Sequence, residues 1–184
     1  MLPVTREELL DYVTYGERRD ALRAEVLAKK APRRVMVGDF LAFLFENRDT
    51  VRYQVHEMLR AEAIVKEAEI RHELDTYNEL LGGQGELGAT LMIELEDPAV
   101  RAEKLKELLD LPEHVYVRLE GGRKVRPTFD RRQVGGDRLS SVQFLKFDTR
   151  GEVPVAVGVD LPALALETPL AEEQRQALLD DLSD

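Results

Sequence analysis

The chain has 184 residues and 43% hydrophobic content, enough for one domain with its own cooperative core. Its 26 Lys+Arg against 36 Asp+Glu give a formal net charge of −10 with the three histidines neutral, and it has no cysteine. That excludes disulfide scaffolds, thiol catalysis, Cys-type zinc sites and iron–sulfur ligation by its own thiolates, and a reducing, cytoplasmic location is the expectation.

Thr5 followed by Arg6, Glu7 and Glu8 reads as a helix N-cap with acids in the first turn. The apolar spacing Leu9, Leu10, Val13, then Leu22 and Val26, continues helically, with Gly16 as a point of interruption. The helix must stop before Pro32, because a residue preceding proline is pushed out of helical torsions. Val35 to Phe45 is β-branched and aromatic around Gly38-Asp39, the pattern of two short strands or one bent one. Asn47 or Asp49 can cap the next segment, and residues 50–80 contain neither Pro nor Gly, which predicts one long helix. Gly82, Gly83 and Gly85 end it in a loop. Ala89 to Leu95 reads as a strand, Pro98 opens a helix running to about Leu109, and Leu111-Pro112 terminates it. Strands are expected at Val115 to Leu119, Val125 to Phe129, Val142 to Phe147 and Val153 to Val159, with Gly121-Gly122 as a hairpin turn. Glu172 to Leu182 completes the chain as a short amphipathic helix.

This order predicts an α+β fold in which an antiparallel sheet packs with one long helix and two or three shorter ones. A single domain over 1–184 divides into a mainly helical half with a short strand region (1–81), a mainly strand half (86–160) and an acidic C-terminal helix (165–184). No run of about 18 apolar residues occurs, and Pro3 with an acidic helix signal follows Met1 in place of a basic apolar leader. Neither a membrane span nor a secretion signal is therefore expected.

The charge is uneven. Residues 152–184 carry eight acids (Glu152, Asp160, Glu167, Glu172, Glu173, Asp180, Asp181, Asp184) against Arg175 alone. Two basic patches oppose them: Lys29, Lys30, Arg33 and Arg34, then Arg123, Lys124, Arg126, Arg131, Arg132 and Arg138. A globally acidic chain repels nucleic acid and anionic lipid at long range, so these patches are expected to pair with the acidic tail or with a small anion, not with nucleic acid.

On the expected long helix, Val51, Val55, Met58, Glu62, Glu69, Glu73 and Leu80 fall within about 60° of one another, so an apolar stripe turns acidic midway. Glu69 and His72 stand as Glu-x-x-His, a spacing that lets both side chains reach one metal. The candidate ligand set is Glu62, Glu69, His72 and Glu73, with iron, manganese or zinc as its cation. The competing structural reading is ordinary i,i+4 pairing of Glu62 with Lys66 and Glu67 with Arg71. A di-iron site needs a second Glu-x-x-His, and neither His56 nor His114 has a Glu three residues earlier. A second polar cluster runs from Glu46 and Asn47 through Thr50, Gln54, Glu57 and Arg60, placed to bind an anion or simply to cap and pair. Glu73 and Tyr77 could form an acid–base pair, although a Tyr at a helix end also serves as an anchor. No P-loop, G-x-G-x-x-G, G-x-S-x-G or H-E-x-x-H motif occurs.

Arg33-Arg34-Val35 through Gly38, FENRDT (45–50), YQVHEMLRAE (53–62), HELDTYN (72–78) and ATLMIEL (89–95) resemble an uncharacterised bacterial family, domain of unknown function three-five-zero-one, over nearly the whole chain. The resemblance implies, through gene association with rubrerythrin-like proteins and iron–sulfur oxidoreductases, a role beside redox partners. It points to Arg34, Glu46, Asn47, Thr50, Gln54, Glu57, Arg60, Glu62, His72, Glu73, Tyr77 and Asn78 as recurrent positions, with His56 where Gln is more usual. Two functions follow as expectations. One is a small accessory protein with a carboxylate/His metal site serving redox partners. The other is a non-enzymatic, homodimeric interaction module held by a salt-bridge network, with the acidic tail docked on Arg123 to Arg138.

Overall fold

The computed structural model describes residues 1–183, the Arg132 side chain apart; Asp184 of the acidic tail and that side chain of the second basic patch lie outside the described residues. Thr5 caps only a short turn, Arg6–Glu8, while the first helix, α1 (Tyr12–Lys30), starts afresh with Asp11 as its cap and runs through Gly16 unbroken. Nothing lies within 4 Å of where a Gly16 side chain would stand, so this glycine costs helix propensity without forcing a bend. Strands β1 (Arg34–Val37) and β2 (Leu41–Glu46) form the expected hairpin, turned by Gly38 at φ +64°. Then come α2 (Arg48–Ala61), α3 (Glu67–Asn78), β3 (Glu86–Ile93), α4 (Pro98–Glu107), the single-turn α5 (Leu111–His114), β4 (Val115–Arg118), β5 (Lys124–Val125), β6 (Val142–Asp148), β7 (Ala156–Leu161), β8 (Leu164–Pro169) and α6 (Glu172–Ser183).

The α+β class stands, but the strands form two four-stranded antiparallel sheets, β1-β2-β3-β6 and β5-β4-β7-β8. Their inward residues, among them Phe43, Phe45, Leu91 and Phe147 from the first sheet and Val117 and Val157 from the second, make one core, which α6 closes with Leu178. Strand β8 occupies the start of the acidic region set at 165–184, and the helix itself begins at Glu172, where the amphipathic pattern places it. Its alternation of half-buried and exposed residues is that of an edge strand. The expected strand over Val125 to Phe129 shrinks to two residues at Lys124–Val125, because Pro127 lacks the donor that a longer ladder needs.

The single helix expected over 50–80 is two. α2 ends at Ala61 with Glu62 as its C-cap, Ala63 enters left-handed space at φ 53°, and the amides of Ala63 and Ile64 bond back to the carbonyls of Arg60 and Leu59. This is a Schellman ending with alanine where glycine is usual, sealed by Ile64 packing in the same cluster as Leu59. The physical reason is burial. A straight helix over those residues would be about 45 Å long and leave one half of its stripe in water; folded back, Val51, Val55 and Leu59 of α2 meet Ile70 and Leu74 of α3 in one small second core. Among the described residues no helix is long and apolar enough to cross a membrane.

Candidate functional site

The break in the helix sets Glu62, at the end of α2, apart from Glu69, His72 and Glu73, which share α3. Glu62 caps α2 and is exposed, Glu69 is exposed and pairs with Lys66 at 3.2 Å, His72 is exposed, and Glu73 is half-buried. The common stripe required an unbroken 100° rotation from residue 51 to 80, and the left-handed turn at Ala63 resets that rotation. Among the described residues no group of three or more His, Cys, Asp or Glu is placed to hold a metal ion. Tyr77 hydrogen-bonds Gln54, and its hydroxyl is held above the usual range by burial, with Glu73 and Glu62 adding to the shift. The groove that Tyr77 lines with Thr76 and Leu80 does not include Glu73.

Most of the second polar cluster is structural. Asn47 and Thr50 form a reciprocal cap at the start of α2, at 3.0 and 2.9 Å. The buried Glu46 carboxylate accepts from the Thr50 and Thr90 hydroxyls at 2.6 Å each. Asn47 also donates to Asp181 of α6, whose two oxygens take the Arg33 guanidinium at 2.7 and 2.8 Å. Asn78 holds both polar groups of Val4, accepting from its amide and donating to its carbonyl. Arg34 pairs with Glu94 on the surface.

The acidic C-terminal region meets the basic residues in part of the expected pattern. Glu152 takes Arg123, and Asp160 takes Lys124 and Arg126, so the Arg126 hydrogen bond first, then Lys124 and His114, hold Asp160 well below the usual carboxylate range. The terminal helix goes elsewhere: Asp181 docks on Arg33 of the first patch, and Arg175 reaches back to Glu120. Shape decides this, because α6 inserts Leu178 into the sheet core and its charged face lands beside the residue preceding β1.

The densest site lies between α1 and α2. Tyr15 and Arg19, one turn apart on α1, converge on Glu57 of α2: the Tyr15 hydroxyl donates at 2.6 Å, and Arg19 donates through Nε and Nη2 at 2.7 Å each. Arg19 first, then Tyr15, hold the Glu57 carboxyl down at about 2 against the opposing effect of burial. Burial first, then the Glu57 bond, push the Tyr15 hydroxyl far up, so it stays protonated. Beside them His56, 5% exposed, stacks on Tyr15 with ring centroids 4.5 Å apart and an 8° interplanar angle. Its Nε2 accepts the Leu10 amide at 2.9 Å, and a hydrogen bond to the Arg52 backbone occupies the other nitrogen. Burial lowers its pKa to about 4. The sequence made His72 the candidate ligand and set His56 aside; the structure buries His56 as a neutral wall with both nitrogens committed.

A cavity opens on each side of that wall. One, of 280 Å³, is polar, with Arg18, Lys29 and Arg52 facing Glu8, Glu25 and Asp49. The other, of 240 Å³, is mostly apolar, bounded by Leu10, Leu59, Ile64 and Ile70. Its rim carries Val65, Val13 and Tyr12 at 67%, 66% and 46% exposure. None of these rim residues carries a polar motif: Tyr12 and Val13 open α1, and Val65 follows the turn at Ala63, so only the packing of the two segments brings them around one crevice.

The fold and the sequence have a counterpart in a crystal structure of a protein of unknown function from Burkholderia pseudomallei, with 31% identity and a TM-score of 0.89 over 98% of this chain and 100% of that one. No curated protein matches the sequence. The model of one family extends over residues 3–182, covering the α1–α2 wall, both sheets and nearly all of α6, and the chain therefore belongs to the family described as Protein of unknown function (DUF3501).

Proposed function

We propose that the protein is a non-enzymatic binding module whose working face is the helical layer, with the apolar crevice beside the Tyr15–His56 wall as its site. The observation that supports this is a contrast within one layer. Groups suited to catalysis are saturated by one another, Glu57 by Tyr15 and Arg19 and His56 by Leu10 and Arg52. The apolar rim, in contrast, stands open to solvent. Exposed apolar residues that cluster around a concavity mark binding sites more often than isolated ones do. A redox partner of the kind implied by the gene association would bring its own metal centre to such a module, since the chain has no cysteine and, among the described residues, no group of three His, Asp or Glu is placed to hold a metal ion. Toluene, a neutral probe, tests the reading: it should shift the backbone amide resonances of Val13, Leu59 and Ile70, and Val65→Asp should remove those shifts. An unperturbed spectrum at saturating toluene would sink it.

A second reading has its own observation. Met36, Val142 and Phe144 share the outer face of the first sheet, with Phe144 at 40% exposure. The β1 edge beside them is covered by side-chain bonds from Thr168 and Gln174 to the Met36 and Arg34 carbonyls. Strand addition is thereby blocked at that edge, and association of two copies would be face to face. Light scattering should then give a dimer mass that Phe144→Asp halves; a monomer mass at all concentrations removes this reading.

A further inference from the structure

The apolar crevice has a charged mouth as well as an apolar interior. Three charged side chains line it, Arg6, Asp11 and Arg60, and two of them are already committed. Asp11 caps α1, accepting from the Val13 and Thr14 amides and the Thr14 hydroxyl. Arg6 bonds Glu67 at 3.0 Å and the Leu9 carbonyl. The Arg60 side chain is exposed and, among the described residues, forms no ion pair or hydrogen bond; its charge is felt by Glu57, one turn earlier on α2 and itself occupied by Arg19 and Tyr15. The site therefore presents one uncommitted cation over an apolar hollow.

The hollow's outer wall is held by strain. Ala63 sits at φ 53°, a conformation that costs a side-chain-bearing residue about 1–2 kcal/mol. That turn sets Ile64 inward and Val65 outward at the crevice rim. Non-glycine residues held in left-handed space concentrate where a ligand surface is shaped. The volume of 240 Å³, at about 30 Å³ per water-sized group, accommodates about eight such groups in a chain. The preceding reading makes this crevice the binding site, and the present inference rests on it.

We propose that the crevice takes a medium-chain aliphatic carboxylate of about six to eight carbons, with its chain against Leu59, Ile64 and Ile70 and its carboxylate on Arg60. The neutral His56 ring closes the inner end without offering a second charge. A charge-assisted hydrogen bond from a guanidinium is the contact that separates a carboxylate from an alcohol of equal length.

The test titrates the full chain with octanoate, 1-octanol and octylamine below their aggregation concentrations, read by calorimetry and by the amide resonances of Val13, Leu59 and Ile70. Octanoate should bind about tenfold more tightly than 1-octanol, and octylamine more weakly than either. Arg60→Ala should bring octanoate to the affinity of 1-octanol while leaving 1-octanol unchanged, and Arg60→Lys should retain part of the preference. Val65→Asp, at an exposed position and with its folding checked by circular dichroism, should weaken octanoate and 1-octanol together. Equal binding of octanoate and 1-octanol, or a preference that survives Arg60→Ala, overturns the carboxylate assignment and leaves the apolar site standing. Failure of all three probes to bind overturns both.

Discussion

The sheet core and the helical layer solve the same problem of burial in different ways. Between the sheets, large apolar side chains such as Phe43, Phe45 and Phe147 are wholly enclosed, and the charges lie outside in exposed pairs such as Arg118 with Glu167, each worth little on its own. The helical layer has a smaller apolar cluster and fills its interior with polar groups, the Tyr15–Glu57–Arg19 triad and the neutral His56. It is also where two cavities flank one wall. A core of close-packed hydrocarbon specifies shape, whereas buried polar groups with fixed partners specify where space is left. Stability is therefore expected to reside mainly in the sheets and binding in the helices.

The comparison can be broken most severely from the sheet side. Phe45→Ala should cost about 3–5 kcal/mol, read as a lower denaturation midpoint, because Phe45 is fully enclosed and in ring contact with Phe147. A loss under 1 kcal/mol would mean that the sheet core is not the main source of stability. Asp181→Ala should cost about 3 kcal/mol by leaving the Arg33 guanidinium buried without its carboxylate; Arg33→Met combined with Asp181→Leu should recover most of that loss.

The helical layer should reveal itself through pH. His56 has a folded pKa of about 4 against an ordinary value of 6.5, so the unfolded chain binds its proton first. The stability it contributes is complete above pH 6.5 and is lost as the pH falls from 6.5 to 4, amounting to about 3 kcal/mol at the low end. Glu57, depressed to about 2 from 4.5, adds a loss that begins only below pH 4.5. Urea unfolding at pH 7, 5.5 and 4.5 should therefore show falling stability between the first two values that His56→Gln flattens. If His56→Gln leaves that slope unchanged, the buried neutral wall is wrong.

Two smaller effects sharpen the picture. Ala63→Gly should stabilise by about 0.5 kcal/mol, the relief of left-handed strain less the entropy of glycine, while loosening the crevice rim. Glu69→Ala and His72→Ala, both at exposed positions, should each change stability by less than about 0.5 kcal/mol. A larger loss, coupled to bound metal in the wild-type protein, would restore the ligand set.

The hairpin at Gly38-Asp39, the helix opened by Pro98 and the strand over Val142 to Phe147 were legible because each rests on local signals: a turn residue, a proline, a period of two. The break at Ala63 was not, since neither proline nor glycine marks it, and the energy that favours it comes from Ile70 and Leu74 folding back onto α2. The continuous stripe through residues 51–80 fell with it, whereas the Glu69–His72 spacing stays within α3. Glu57 was legible as important but not in its role, because its partners Tyr15 and Arg19 lie about forty residues earlier and no spacing rule spans that distance.

By itself, then, the amino-acid sequence determined the class of fold, the positions of most elements, the exclusion of thiol chemistry and the membership of a family over almost its full length. These follow from composition and from interactions among near neighbours. Only the tertiary structure decided that the strands divide into two sheets, that α6 anchors on Arg33, that His56 and not His72 is the buried histidine, and that Tyr12, Val13 and Val65 meet around one crevice. Each of those depends on which distant apolar surfaces bury one another, and the free energy of that burial belongs to pairs of segments, not to either segment alone.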